Sequence, residues 1–260
     1  MTDSLVQIDD SFWNIRGSFR VAGLIDVGTQ ASLCRRSGGN FVMLDACGFD
    51  EETADAIDEL TDGGAALEAI INLHPFHTVH VETMHQRFPE AALIGTERHR
   101  KKLPQLPWAD ATSDQPELHA LFADVLEFSV PRGVDFISAN ESVHFSSVLA
   151  HHLPSKTIHV DDTFNYVPAS GLARFTPFAD TVSFHPTLAK ALQPRAGAAE
   201  EFRAWARDLI ERWVAAENLC AAHTGALTAA ENDGPPLQER LAQSLEKVEG
   251  TLAKHESRYG

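Results

Sequence analysis

Hydrophobic and polar positions fall in short runs over the first part of the chain. Phe12 to Ile15, Phe19 to Ile25, Ala31 to Cys34 and Phe41 to Leu44 are β-like, and Gly17, Gly28 and Ser37-Gly38-Gly39-Asn40 interrupt them. This pattern predicts a meander of strands. Asp50 then stands as an N-cap before Glu51 and Glu52, and Ala54, Ile57 and Leu60 make a helical stripe ending near Gly63 and Gly64. Ala69-Ile70-Ile71-Asn72-Leu73 is apolar and β-branched and predicts a buried strand. Val81, Met84, His85 and Phe88 suit a short helix closed by Pro89, and Ala92 to Gly95 a further parallel strand, completing a β-α-β unit.

Four more strands are predicted at Val125 to Val130, Asp135 to Ile137, Val143 to Leu149 and Thr157 to Val160, and Trp108 to Pro116 reads as a long loop. The last third is helical. Phe202, Trp205, Ala206, Leu209, Ile210 and Trp213 share one face, and Leu237, Leu241, Leu245, Val248 and Leu252 form a second stripe after Pro235-Pro236. Between them Leu219 to Gly225 is a small strand ending on His223. No linker rich in Gly, Ser or Pro and no repeat divides the chain, so one domain over 1–260 is expected, with helices 198–217 and 236–255 packed on it. The order fits two mixed sheets packed together with helices on both outer faces, an α/β class.

Composition narrows the function more than the fold. The 260 residues are 43% hydrophobic and 22% charged, ordinary for a globular protein. A formal charge of −16 would repel phosphate backbones and anionic membranes, so no nucleic-acid or membrane partner is expected. The one short basic cluster, Arg98 to Lys102, reads as a solvated helix end. Three cysteines at wide spacing, no basic-then-apolar start and no apolar run long enough to span a bilayer fit reduced thiols and a cytoplasmic location. A small-molecule substrate or ligand is the expected partner, and a homodimer is compatible with the sequence.

There are 13 histidines. His74, His77 and His80 recur at three-residue spacing directly after a buried strand, where a sheet edge gives side chains room to converge. A d-block metal takes imidazole and carboxylate donors at about 2.0 to 2.2 Å, usually from several strand ends. Downstream candidates are His144, Asp161 and Asp162 after Thr157 to Val160, and His223. His85, His99, His119, His151, His152, His159, His185 and His255 are expected at the surface or beside a site, without an assigned role.

The order of these pieces resembles the metallo-β-lactamase superfamily, from about residue 12 to 228. AIINLHPFH holds the place of the HxHxDH signature, with Asn72, His74, Phe76 and His77 at its four diagnostic positions. FVMLDACG is similar to the strand ending in an Asp-x-Gly turn, which makes Asp45 a turn-supporting aspartate. SVHFSSVLAHHLPSKTIHVDDTFNY resembles the segment carrying the third histidine and the bridging aspartate, and CAAHTG the final histidine loop. The resemblance implies an αββα four-layer sandwich of the metallo-β-lactamase fold and maps His74, His77, His144, Asp162 and His223 onto metal-ligand positions. Asp161 stands where the family has Gly.

Of the family's two metal sets, one here becomes Asn72, His74 and His144. The other becomes Phe76, His77, Asp162 and His223. Asn is a poor ligand beside imidazole, so the resemblance implies one Zn or Fe ion per chain rather than two. Phe76 removes the carboxylate that orients and deprotonates water, leaving Asp161, His80 and Glu141 as candidate catalytic bases. The expected function is a metal-dependent hydrolase acting on an ester, lactone, thioester, amide or phosphoester. The alternatives are a catalytically degenerate metal- or ligand-binding protein of the same fold, or an iron redox protein.

Overall fold

The computed structural model describes residues 4–18, 20–21, 25–26, 28–168, 180–223 and 225–260, with the backbone alone at 20–21 and 25–26. The chain forms two compact units, one made of its N-terminal part to Glu127 with His152–Ser155, the other of Phe128–His151 and Lys156–Gly260.

The first unit opens with strands β1 (Leu5–Asp9) and β2 (Phe12–Gly17), a short ribbon of β3 (Arg20–Val21) and β4 (Ile25–Asp26), then β5 (Thr29–Arg35) and β6 (Phe41–Leu44). The run from Phe19 to Ile25 is therefore not one strand, because Arg20–Val21 pairs antiparallel with Ile25–Asp26; Phe19 and residues 22–24 lie outside the described residues. Helix α1 (Glu51–Thr61) begins at the N-cap Asp50, whose side chain accepts from the Thr53 N–H, and stops at Asp62 in a left-handed conformation. Strand β7 (Leu67–Ile71), helix α2 (Val81–Arg87), strand β8 (Ala92–Ile94) and the short helices α3 (Glu97–Lys102) and α4 (Pro116–Leu121) follow.

The sheet order is β1-β2-β5-β6-β7-β8. β2, β5 and β6 are antiparallel neighbours, whereas β6, β7 and β8 run parallel through α1 and α2. Parallel order sends the C-terminal ends of β6 and β7 to one edge, and both carry residues singled out above. Leu33, Met43, Ile57 and Ile70 are fully buried in this unit's core.

The boundary between the units falls within β9 (Leu126–Ser129) and at the end of β10 (Leu149–His152). The second unit continues with β11 (Thr157–Val160), β12 (Phe164–Val167), β13 (Thr181–Phe184), α5 (Leu188–Ala191), α6 (Ala198–Arg212), β14 (Asn218–Ala221), β15 (Gly225–Leu227) and α7 (Leu237–Tyr259). The sheet order is β15-β14-β11-β10-β9, and β12 with β13 makes a separate hairpin. β11 and β14 are parallel, with Val160 opposite Ala221.

Helices α6 and α7 cover this unit's core. Phe202, Trp205, Leu209 and Trp213 from α6 and its C-cap, and Leu241 and Leu252 from α7, pack with Phe145, Phe164 and Phe184. Each large apolar side chain buried this way contributes roughly 1.5–3 kcal/mol. Arg203 of α6 clasps Glu249 and Glu256 of α7 at 2.7 and 2.9 Å.

Two expected strands are absent. Val134 makes an isolated bridge to Leu192 and Asp135 to Ile137 is irregular. Between Val143 and Val148 the chain has no ladder, because Ser146 Oγ donates to the Asp135 carbonyl and the Ser147 N–H donates to Thr163 Oγ1. The strand begins only at Leu149. Among the described residues no helix is long and apolar enough to cross a membrane.

Candidate metal centre

In the first unit the histidine loop hangs from the end of β7 and is fixed from below by Asp45. Asp45 follows β6 with a φ of 60°, and its Oδ1 accepts the Leu73 N–H at 2.7 Å. It thus supports the backbone of the histidine loop. Asn72 is wholly buried. Its backbone N–H and its Nδ2 both donate to the Ile94 carbonyl of β8 at 2.9 Å, so the amide serves the sheet edge.

His74 is also wholly buried, and its Nδ1 accepts the Phe76 N–H at 3.1 Å. The His77 N–H donates to the His74 carbonyl, and the two imidazoles stack with centroids 4.1 Å apart. The loop therefore brings His74 and His77 together. Phe76 turns its ring to Arg98, whose guanidinium lies 4.4 Å from the centroid.

His99 holds the loop from α3. Its Nδ1 accepts the Thr96 N–H, and its Nε2 donates to the His77 carbonyl at 3.2 Å. Burial pushes its pKa down to about 4, which keeps this two-sided role in the neutral ring. No hydrophobic pattern marks this role, since α3 is charged and buries only His99.

His80 sits at the start of α2 and lines a cleft of about 240 Å³ with Cys47, Phe49, Asp50 and Met84. A Cβ on Gly48 would lie 3.0 Å from its Cε1. Burial lowers the His80 pKa, and its Nε2 has no hydrogen-bond partner among the described residues.

In the second unit the pairing of two strands makes the cluster. β11 and β14 run parallel in register, so the residues following them, Asp162 and His223, leave the same edge side by side. His223 Nε2 lies 3.0 Å from Asp162 Oδ1, and His144 Nδ1 lies 3.9 Å from Asp162 Oδ2. The Asp162 side chain is only 3% exposed, whereas His144 and His223 are 42% and 25% exposed. His144 Nε2 meets the Glu141 carbonyl at 2.7 Å. A carbonyl can only accept, so the proton of the neutral ring lies on Nε2 and Nδ1, the nitrogen nearer Asp162, carries the lone pair.

This arrangement fits a cation. Two donors on one ion at about 2.1 Å stand roughly 3 to 4 Å apart, the spacing of both contacts to Asp162. A buried carboxylate with imidazoles beside it is also the donor chemistry of Zn²⁺ or Fe²⁺. Asp161, 1% exposed, precedes Asp162 at the same strand end, and Glu141 is exposed.

His185 belongs with this cluster although no role was expected for it. Its N–H donates to the Thr163 carbonyl at 3.2 Å, and burial lowers its pKa while Asp162 raises it and His223 and His144 lower it. The available signal was the one that marked His223, a histidine directly after a short β-like run, here Thr181 to Phe184.

The sequence matches no family model. It matches no curated protein either. Solved structures do match. A metallo-β-lactamase from Erythrobacter litoralis with β-mercaptoethanol in its active site is similar at a TM-score of 0.59 and 13% identity, over 95% of this chain and 98% of that one. The metallo-β-lactamase FIM-1 from Pseudomonas aeruginosa, in its mono-zinc form, is similar at 0.58 and 13%, over 94% and 95%. TMB-1 is similar at 0.59 and 16%, over 94% and 97%. These likenesses show the fold: the chain has the metallo-β-lactamase fold, the αββα class the motifs implied.

Proposed function

We propose that the chain is a metal-dependent hydrolase in which one Zn or Fe ion is held at Asp162, His223 and His144, with His74 and His77 as the further donors that the family pattern assigns. The observation that carries the reading is the buried Asp162 carboxylate with His223 at 3.0 Å and His144 at 3.9 Å. When bound, the ion supplies Lewis acidity, which polarises a carbonyl or phosphoryl oxygen and lowers the pKa of water. The chain's residues then orient and move protons. Glu141 fixes the His144 tautomer through its carbonyl. Asp161 is the proposed base, since Phe76 offers no carboxylate. Esters, lactones, thioesters, amides and phosphoesters all suit such a centre, and the fold does not choose among them. A small-molecule substrate met in the cytoplasm accords with the charge of −16.

Phe76 and Asn72 favour a second reading, a protein that binds a metal without turnover. Metal analysis of the purified chain together with a panel of generic ester and phosphoester substrates separates the two. Zinc or iron near one per chain with hydrolysis supports the proposal. Bound metal with no turnover supports the second reading, coloured stoichiometric iron points to redox chemistry, and no metal overturns all three.

A further inference from the structure

The geometry points to His185 as a hydrogen-bond donor to a carbonyl or phosphoryl oxygen of the substrate, beside the Asp162, His144 and His223 cluster and outside its set of metal ligands. The inference deepens the metal-dependent reading and rests on it. Its first support is position. The backbone N–H of His185 donates to the carbonyl of Thr163, the residue after Asp162, at 3.2 Å, and the ionisable groups acting on the ring are Asp162, His223 and His144.

The second support is the tautomer. His185 Nδ1 accepts the Thr187 N–H at 3.3 Å and lies 2.7 Å from Thr187 Oγ1. A backbone N–H can only donate, so Nδ1 holds the lone pair and the proton of the neutral ring lies on Nε2. With the lone pair on Nδ1, the single hydroxyl proton of Thr187 goes to that nitrogen, and the same Oγ1 lies 3.4 Å from the His144 carbonyl, beside the segment that carries His144. His185 Nε2 has no hydrogen-bond partner among the described residues.

This tautomer is opposite to what a ligand would need at Nε2. His144 gives its Nε2 proton to a carbonyl and keeps a lone pair on the nitrogen facing Asp162. His185 anchors its lone pair on Thr187 and keeps an N–H for an outside acceptor. A fixed neutral N–H strengthens its hydrogen bond as negative charge grows on a reacting oxygen, the contribution of an oxyanion-hole donor.

The test uses the full chain loaded with Co²⁺ and inorganic phosphate as the oxygen-bearing probe. Phosphate binding, followed through the cobalt absorption spectrum, is expected to weaken about 10-fold or more in His185→Phe. It should recover in His185→Gln, whose amide keeps a donor, with Co²⁺ affinity unchanged in both. Unchanged phosphate binding in His185→Phe overturns the inference alone, and a fall in Co²⁺ affinity makes His185 a ligand and overturns it too. A parent chain that takes up no cobalt overturns instead the metal reading beneath it. If His185→Phe does not fold, proton–nitrogen correlation spectra of the unsubstituted, metal-free protein decide. An Nε2–H ring at His185 supports the inference and an Nδ1–H ring sinks it.

Discussion

Asp45 reaches from the end of β6 to the backbone of Leu73, accepting its N–H at 2.7 Å from a left-handed φ of 60°. Both members of the pair are buried, so losing the acceptor leaves an N–H without water or partner. Asp45→Ala is expected to destabilise the protein by about 1–3 kcal/mol in denaturant unfolding. Asp45→Asn keeps an acceptor and tolerates the left-handed backbone, so it should lose much less. Equal losses in the two would mean that the carboxylate charge, rather than the hydrogen bond, is what matters.

Removing a donor should empty the metal centre. Outer-sphere partners alone typically change metal affinity about 10–100-fold, so His77→Ala, Asp162→Ala and His223→Ala are each expected to lose at least that much. Competition with a chelator measures it. Full metal retention in all three would refute the proposed ligand set.

Restoring the missing donors tests the loop from the other side. Phe76→Asp combined with Asn72→His is expected to raise metal content from about one toward two ions per chain, the count the family pattern implies. An unchanged ratio would mean that positions 72 and 76 do not face the ion. The packing makes this substitution demanding, because Asn72 also bonds the Ile94 carbonyl and the new imidazole must do the same.

His99 makes stability depend on pH. Its folded-state pKa is lowered to about 4 from the ordinary 6.5, so between those values the unfolded chain binds the extra proton. Stability from this group is therefore complete above about pH 6.5, falls as pH drops and is gone below about pH 4, a total of about 3 kcal/mol. His99→Gln can still accept from Thr96 and donate to His77. Its unfolding free energy should fall less than the parent's between pH 7.5 and pH 4.5, and parallel curves would count against His99.

The candidate positions legible in the sequence are those where an apolar run ends on a histidine or a carboxylate. β7 running into His74 and His77, β11 into Asp162 and β14 into His223 all carry that mark. His185 has the same mark after β13, but Thr181 to Phe184 is a short run that alternates between half-buried and buried positions, too brief to stand out as a strand. The error at Val143 to Leu149 has a different origin. Side-chain type there suits a strand, yet Ser146 and Ser147 spend their polar groups on Asp135 and Thr163 instead of on a neighbouring strand. Helix α3 left no periodic trace because His99 is its only buried residue.

Pairing β11 with β14 in parallel register makes Asp162 and His223 neighbours across a sheet edge, whatever the route taken by the chain between them. That route includes the β12–β13 hairpin and α6, and its length is not what sets their separation. Lineages could therefore lengthen, trim or reshape this excursion while the two side chains keep their spacing.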